Sequence, residues 1–388
     1  MQPVQTTPMQ VFSFFNFSSN HRKKEEEVFL FTLIRHLQIL HSPSLSLSLS
    51  LSLSLGTKRK EMTPFYLLFF LVFFNIATSE SKLTLDYYSK TCPRLQDIIR
   101  QVVTDKQIAA SSTAAATLRL FFHDCMVNGC DGSILISSNA FNTAERDAEI
   151  NLSLPGDGFD VITRAKTALE LECPGVVSCA DILALAARDL VTMVGGPYYN
   201  IRLGRKDGFI SKASEAEAAM AKPTMPLTQI IKIFQSRGFN TQEMVALSGA
   251  HTIGFAHCKE FSKRLFNFSK KSDYDPTLYP KYAEGLRKLC ENYTKDPTMS
   301  AFNDVMTPNK FDNMYYQNLQ KGLGLLASDQ AMAVDKRTKP YVDLYAANQT
   351  AFFQAFTHAI EKVSVYQVKT GRKGEVRHRC DAFNSLKT

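Results

Sequence analysis

Arg119 and His123 stand four positions apart in the run Arg119-Leu120-Phe121-Phe122-His123. On a helix that spacing puts both side chains on one face. A guanidinium beside an imidazole can move a proton while negative charge builds on a neighbouring atom. The chain runs on as Asp124-Cys125-Met126-Val127-Asn128-Gly129-Cys130-Asp131-Gly132-Ser133. This loop offers two cysteines, the Asp124 and Asp131 carboxylates, the Ser133 hydroxyl, and backbone carbonyls at Val127 and Gly129. Calcium takes six to eight oxygens of this kind. The spacing is not that of an EF-hand, and turn or capping chemistry accounts for the same residues.

His251 lies in Leu247-Ser248-Gly249-Ala250-His251-Thr252-Ile253-Gly254. Alone, such a histidine is more often a buried, satisfied core residue than a ligand. Two histidines on separate helices, one with an Arg partner, suit a haem held on one face and open on the other. Gly249 and Ala250 would let a flat macrocycle approach the backbone.

The elements that must position these residues are helical almost throughout. Pro93 stands where a helix begins, and Leu95, Ile98, Ile99 and Val102 recur at helical spacing. Ser112 is placed to cap the helix that carries Arg119 and His123. Residues 159–172 and 180–194 predict two further helices, the second stopped by Gly195-Gly196-Pro197. Ser211 to Pro226, rich in Ala, Glu and Ser, is expected to join two lobes. Residues 227–237, 241–253, 256–267, 279–290, 311–321 and 338–363 supply the helices of the second lobe. Strand patterns are few and short, so the class is all-α with minimal β.

The first part of the chain differs. Ser44 to Leu55 is an unbroken Ser-Leu alternation, with nothing around it to pair with or cover a strand. A CT dinucleotide repeat read in frame encodes this pattern, so residues 1–61 are expected to be a non-native extension with Met62 the initiator. Residues 62–79 are expected to be a secretory signal: Phe65 to Ile76 is largely apolar but short for a bilayer, and Ala77-Thr78-Ser79 is small at the cleavage positions. No membrane span is expected.

The 388 residues carry a formal charge of +8, with 21% charged and 45% hydrophobic residues, an ordinary globular balance. Residues 1–61 account for +3 and residues 62–79 for none, which leaves +5 for the remainder. That mild excess would favour acidic polymers such as cell-wall polysaccharide, is accounted for at least as well by ordinary surface charge, and is no nucleic-acid signature. All eight cysteines lie beyond residue 91, an even number that suits disulfides in an oxidising compartment. No Cys-x-x-Cys pair is present, which argues against a zinc ribbon.

The stretch Arg119–Ser133 resembles the distal haem motif of the secretory plant haem peroxidases (class III), and Leu247–Gly254 resembles their proximal one. The resemblance spans roughly residues 83–382. It implies a two-lobed fold with haem between a distal lobe, 80–225, and a proximal lobe, 226–388, whose C-terminus returns to the first. It implies one heme b, with His251 as the iron ligand and Asp329 as the carboxylate behind it. His123, Arg119 and Asn151 would be catalytic, and Phe122 would wall off the iron so that donors react at the haem edge. Two Ca2+ are implied. One would take Asp124, Val127, Gly129, Asp131 and Ser133, with Glu145 acting through water; the other would take Thr252, Asp304, Thr307, the Lys310 carbonyl and Asp312. Of the 105 pairings open to eight cysteines, the resemblance selects Cys92–Cys173, Cys125–Cys130, Cys179–Cys380 and Cys258–Cys290.

The implied reaction reduces hydrogen peroxide and oxidises small aromatic donors, such as lignin precursors, other phenols or auxin, by one-electron steps. A monomer in the apoplast or cell wall is expected. Asn151-Leu152-Ser153 is also a glycosylation sequon, but an Asn hydrogen-bonded to His123 should carry no glycan; Asn267, Asn292 and Asn348 head better ones. The chain departs from the family at Ala221, where a Pro usually shapes the donor site, at Tyr199, where Trp is common, and at Met126, where Phe is common. The competing reading is a non-enzymatic haem- and calcium-binding wall glycoprotein. A His/Asp metallohydrolase would need a motif such as His-Glu-x-x-His, which is absent. The signal and the cysteines argue against an intracellular ascorbate-type peroxidase.

Overall fold

The helix that bears Arg119 and His123 forms the centre of the first half of the domain. In the computed structural model, which describes residues 82–385, it is α2 (Thr113–Asn128), preceded by α1 (Leu95–Ala109). Twelve of its sixteen residues are buried. It packs on α3 (Gly156–Glu172) and α4 (Cys179–Met193). Helix α1 turns Leu95, Ile99 and Val103 inward; of the stripe expected of it, Leu95 and Ile99 are buried, while Ile98 and Val102 are only half-buried against the core. Helix α2 ends at Gly129, where φ is 95° and an added Cβ would lie 2.3 Å from the Gln367 carbonyl oxygen, so only glycine fits. The expectations about residues 1–79 lie outside the described residues.

Ser112 does not cap α2. It sits at the N-cap in a helical conformation and makes no capping bond. Its hydroxyl donates instead to Asp157 at 2.9 Å, tying the start of α2 to the start of α3. The stretch expected to be a plain join holds α5 (Ala213–Ala219), whose Ala216 is buried and which packs on α2. Alanine-rich composition favours a helix there once α2 gives it a face to bury.

The second half begins with α6 (Leu227–Ser236) and α7 (Thr241–Ser248). Helix α7 opens with a capping box: the Asn240 side chain accepts the Glu243 N–H and the Glu243 carboxylate accepts the Asn240 N–H, each at 2.8 Å. It tightens into a 3-10 turn over Gly249–Thr252 that carries His251. The helix expected at 256–267 is mostly absent. Strand β1 (Phe255–His257) pairs antiparallel with β2 (Ser300–Phe302), and a 3-10 turn at Cys258–Glu260 and the short α8 (Ser262–Leu265) are the helical parts of that stretch. Here a distant partner overrides local preference.

Next come α9 (Pro280–Leu289), α10 (Met314–Gln320), α11 (Ala327–Met332), α12 (Lys339–Ala347) and α13 (Gln349–Ser364). Helix α11 was not expected. The single helix expected over 338–363 is broken at Asn348, which is extended and whose side chain accepts the Ala351 N–H at 3.0 Å. Asn competes for backbone hydrogen bonds and so prefers a cap to a helix interior.

Phe311, Tyr316, Tyr345, Phe352 and Phe356 form an aromatic core beneath the His251 turn. Tyr199 is fully buried, edge-on to Phe356, the packing role expected for it. The four disulfides are Cys92–Cys173, Cys125–Cys130, Cys179–Cys380 and Cys258–Cys290, as the family resemblance implied. The third carries the C-terminal segment back to α4, where the buried Arg377 also donates to the Gly132 carbonyl at 2.6 Å. Among the described residues, no helix is long and apolar enough to cross a membrane.

Candidate active site

His123 is buried on α2 with a partner at each nitrogen. Its Nδ1 lies 2.6 Å from the Asn151 side-chain oxygen, and the Asn151 amide N–H donates onward to the Glu145 carbonyl at 2.7 Å. An oxygen facing Nδ1 assigns the proton to that nitrogen and leaves Nε2 as the base. Burial, and then the Arg119 charge, push the His123 imidazole down to about 3, against the pull of the Asn151 bond. The ring is therefore neutral at physiological pH.

Arg119 points its Nε at His123 Nε2, 3.3 Å away. Its two terminal nitrogens donate to the Ser153 carbonyl and hydroxyl, each at 3.0 Å, and to the Ile150 carbonyl at 3.3 Å. Burial draws the guanidinium down to about 10, still charged at neutral pH, with Glu260 opposing the shift. Ser153 was read from sequence only as part of a sequon. In the fold it clamps Arg119, and Asn151 beside it is buried, as a residue bonded to His123 must be. Asn267, Asn292 and Asn348 are all exposed. Phe122, half-buried, stacks on Phe234 at 6.1 Å and stands edge-on to the His123 ring.

On the other side, His251 Nδ1 lies 3.1 Å from both oxygens of Asp329, a buried carboxylate on α11. Burial works against protonation, but the Asp329 charge and hydrogen bond hold the imidazole above its ordinary value, with Arg119 opposing. Arg119 thus acts electrostatically on both histidines. The His251 side chain keeps 39% of its surface accessible, so its free nitrogen is available to a ligand. A Cβ on Gly254 would come within 2.9 Å of the Ala115 Cβ, which shows how closely α2 approaches the segment after His251.

Gly249 does not serve the role read for it. A Cβ there would strike the Phe352 ring and the Tyr316 hydroxyl, both at 2.4 Å. Its missing side chain admits the aromatic core rather than a macrocycle.

Among the described residues, no three His, Cys, Asp or Glu side chains form a ready metal cage. Two loops instead offer carboxylate, hydroxyl and carbonyl oxygens, the ligand chemistry of calcium. Beside α2, Asp124, Asp131 and Glu145 are all buried. Ser133 donates to Glu145 at 3.1 Å, and the other Glu145 oxygen has no partner. Burial, then the Asp131 charge, raise Asp124 to about 7; burial, then Asp124 and Asp131, raise Glu145 to about 9. Mutually repelling buried acids and an orphaned carboxylate oxygen fit a bound cation. Val127 lies in the last turn of α2, whose carbonyls have no intrahelical partner, and Gly129 follows it.

Next to His251, the Thr252 hydroxyl lies 3.4 Å from Asp304, 3.3 Å from the Lys310 carbonyl and 3.5 Å from Asp312. The Thr307 hydroxyl lies 3.2 Å from Asp304 and 3.1 Å from Asp312. One hydroxyl proton cannot serve three acceptors. Oxygens spaced this way match the edges of a shell around a cation, where ligands at about 2.4 Å stand roughly 3.4 Å apart.

Residues 99–348 match the family model described as peroxidase. The chain belongs to the peroxidase family. Peroxidase 31 of Arabidopsis thaliana is 59% identical over 315 residues, 81% of this chain and 98% of its own length. Peroxidase 63 and Peroxidase 6 of the same plant are each 58% identical over 84% of this chain, covering 98% and 100% of their own lengths. The protein is therefore a haem peroxidase, an enzyme that takes hydrogen peroxide and donor substrates. The resemblance read from the two motifs holds over most of the chain, and the non-enzymatic reading finds no support. Haem and calcium are the groups this family implies, and the residues described above fit both.

Proposed function

We propose that this peroxidase acts in the apoplast or cell wall, reducing hydrogen peroxide and oxidising phenolic or other small aromatic donors. One heme b is held through His251, with Asp329 behind it, and two Ca2+ occupy the oxygen sets beside α2 and beside Thr252. Residues 80–225 and 226–388 act as distal and proximal lobes. The enzyme is a monomer, and its mild positive charge favours acidic wall polysaccharide.

The observation that carries this reading is the relay Glu145 carbonyl, Asn151, His123, Arg119, with Nδ1 committed to Asn151 and Nε2 facing only the long contact to Arg119. Haem supplies the redox chemistry when bound. His123 Nε2 takes a proton from peroxide and returns it to the departing oxygen. Arg119, clamped by Ser153 and Ile150, stabilises the charge that builds as the O–O bond breaks. Asn151 keeps the base in the correct tautomer. Asp329 makes His251 a more electron-donating ligand. Phe122 walls the space beside His123 against large donors.

The test is the ultraviolet-visible spectrum of the recombinant secreted chain before and after peroxide, with guaiacol turnover. A Soret band that shifts with peroxide, together with turnover, is expected. Full haem loading without turnover would favour the binding glycoprotein.

A further inference from the structure

Asp329 is 2% exposed, and its carboxylate has few donors. His251 Nδ1 lies 3.1 Å from each oxygen, and the Ser328 hydroxyl reaches Oδ1 only at 3.5 Å. An ionised carboxylate offers about four lone-pair sites, and a buried one is normally supplied with donors. Asp329 therefore has lone pairs to spare. Among the described residues, its charge acts on the hydroxyls of Tyr282, Tyr315 and Tyr316. Tyr316 is committed elsewhere, donating to the Val245 carbonyl at 2.8 Å. At Tyr282, burial is followed by the Arg264 and Asp304 charges before that of Asp329. At Tyr315, burial and then Asp329 itself hold the phenol proton on, well above the ordinary tyrosine range.

The fold also places Tyr315 for this contact. It is buried on α10, which packs on both the His251 turn and α11, the helix of Asp329. Its ring stands edge-on to the His251 imidazole, with centroids 6.0 Å apart and planes at 87°. Its hydroxyl is buried with no hydrogen-bond partner. A donor without an acceptor thus sits beside an acceptor with open lone pairs, and leaving both unmet in the interior is costly. We propose that Tyr315 is a positioning residue for His251: in the haem-loaded enzyme its phenol O–H donates to Asp329 and draws carboxylate charge away from the His251 N–H. This rests on the haem ligation through His251 proposed above. With part of its charge engaged by the phenol, Asp329 pulls less strongly on the ring proton, and the imidazole donates less through Nε2. Tyr315 and His251 therefore share one carboxylate, and the phenol limits how far Asp329 favours the more oxidised iron.

The experiment is spectroelectrochemistry of the calcium-replete holoenzyme in wild type, Tyr315→Phe, Tyr345→Phe and Asp329→Asn. Phenylalanine keeps the ring and removes only the hydroxyl. Tyr345 is the control: its hydroxyl is likewise buried and its ring belongs to the same aromatic core, but Asp329 does not act on it. In Tyr315→Phe the ferric-to-ferrous ratio at a fixed potential should rise about tenfold, a move of about 59 mV to more negative potential, with haem still bound. The iron–imidazole stretch in the resonance Raman spectrum of the ferrous form should move to higher frequency. Asp329→Asn should move both readouts the opposite way, and Tyr345→Phe should move neither. A potential unmoved in Tyr315→Phe, or moved equally in Tyr345→Phe, would overturn the inference and leave the haem site standing. A crystal structure of the wild-type holoenzyme with the Tyr315 hydroxyl beyond hydrogen-bonding reach of Asp329 would overturn it independently, whether or not the variant folds. A wild-type chain that takes up no haem would overturn the ligation by His251 itself.

Discussion

His123 and Asn151 face each other at 2.6 Å, nitrogen to oxygen, across the buried space between α2 and the 3-10 turn at Glu149–Asn151. The bond does two things. It sets which ring nitrogen holds the proton, and it resists the loss of basicity that burial and Arg119 impose. His123→Ala should slow reaction with peroxide by about 10²- to 10⁴-fold, the range for a lost general base, while haem stays bound. Asn151→Val should slow it less, with the same Soret band. Stopped-flow rates decide: near-normal reaction in His123→Ala removes it from the mechanism.

The pH dependence follows from the same shift. His123 is depressed from its ordinary value to about 3, so the base form persists through neutral and mildly acidic pH. The peroxide rate should be flat above about pH 4 and fall as pH drops through about 3. In the unfolded chain the same histidine binds its proton near pH 6.5. Between about 6.5 and 3 the unfolded state therefore holds more protons, and stability should fall as pH falls. Asn151→Val removes a bond that raises the pKa, so its acid limb should move to lower pH. A limb that moves upward contradicts the assignment.

Asp329 sits behind His251 with both carboxylate oxygens at 3.1 Å from Nδ1. Its charge makes the ring a stronger donor through Nε2 and favours the more oxidised metal. Asp329→Asn keeps the shape and removes the charge. Spectroelectrochemistry of the holoenzyme should show the ferric/ferrous potential moving positive with haem still bound. An unmoved potential means that the carboxylate only orients the ring.

Much of the site was legible because its logic is local. The four-residue step from Arg119 to His123 is a property of one helix, and most of the oxygen donors fall in two short stretches, 124–133 and 304–312, to which Glu145 and Thr252 add from further away. What escaped depends on partners far away. Ser112 has the chemistry of a cap, but Asp157 at the head of α3 claims its hydroxyl. Phe255–His257 becomes a strand only because Ser300–Phe302 lies beside it. Gly249 is required by Phe352 and Tyr316, which are remote in sequence. Asn348, by contrast, carried a local signal: an Asn inside a long helical pattern is a natural break, and it caps α13.

The acids beside α2 give the last prediction. Without a cation, Asp124 and Glu145 are raised to about 7 and about 9, by burial first, then by the Asp131 charge at Asp124 and by the Asp124 and Asp131 charges at Glu145. At neutral pH the metal-free loop therefore holds protons that a cation must displace. Calcium binding to the chelator-treated holoenzyme should release protons, seen in calorimetry as a heat that varies with the ionisation enthalpy of the buffer. Affinity should weaken as pH falls from about 9 towards 6, because a group with a raised pKa is charged only above it. Calcium at 100 times its Kd should add about 2.7 kcal/mol of stability, roughly a 5 °C rise in Tm for a domain of this size. Glu145→Gln should lose part of the proton release and keep the second site. Magnesium, which demands tighter octahedral geometry, should not substitute. Equal heats in every buffer would mean that these carboxylates are already ionised before the ion arrives, and that the loop is not held in its buried form without it.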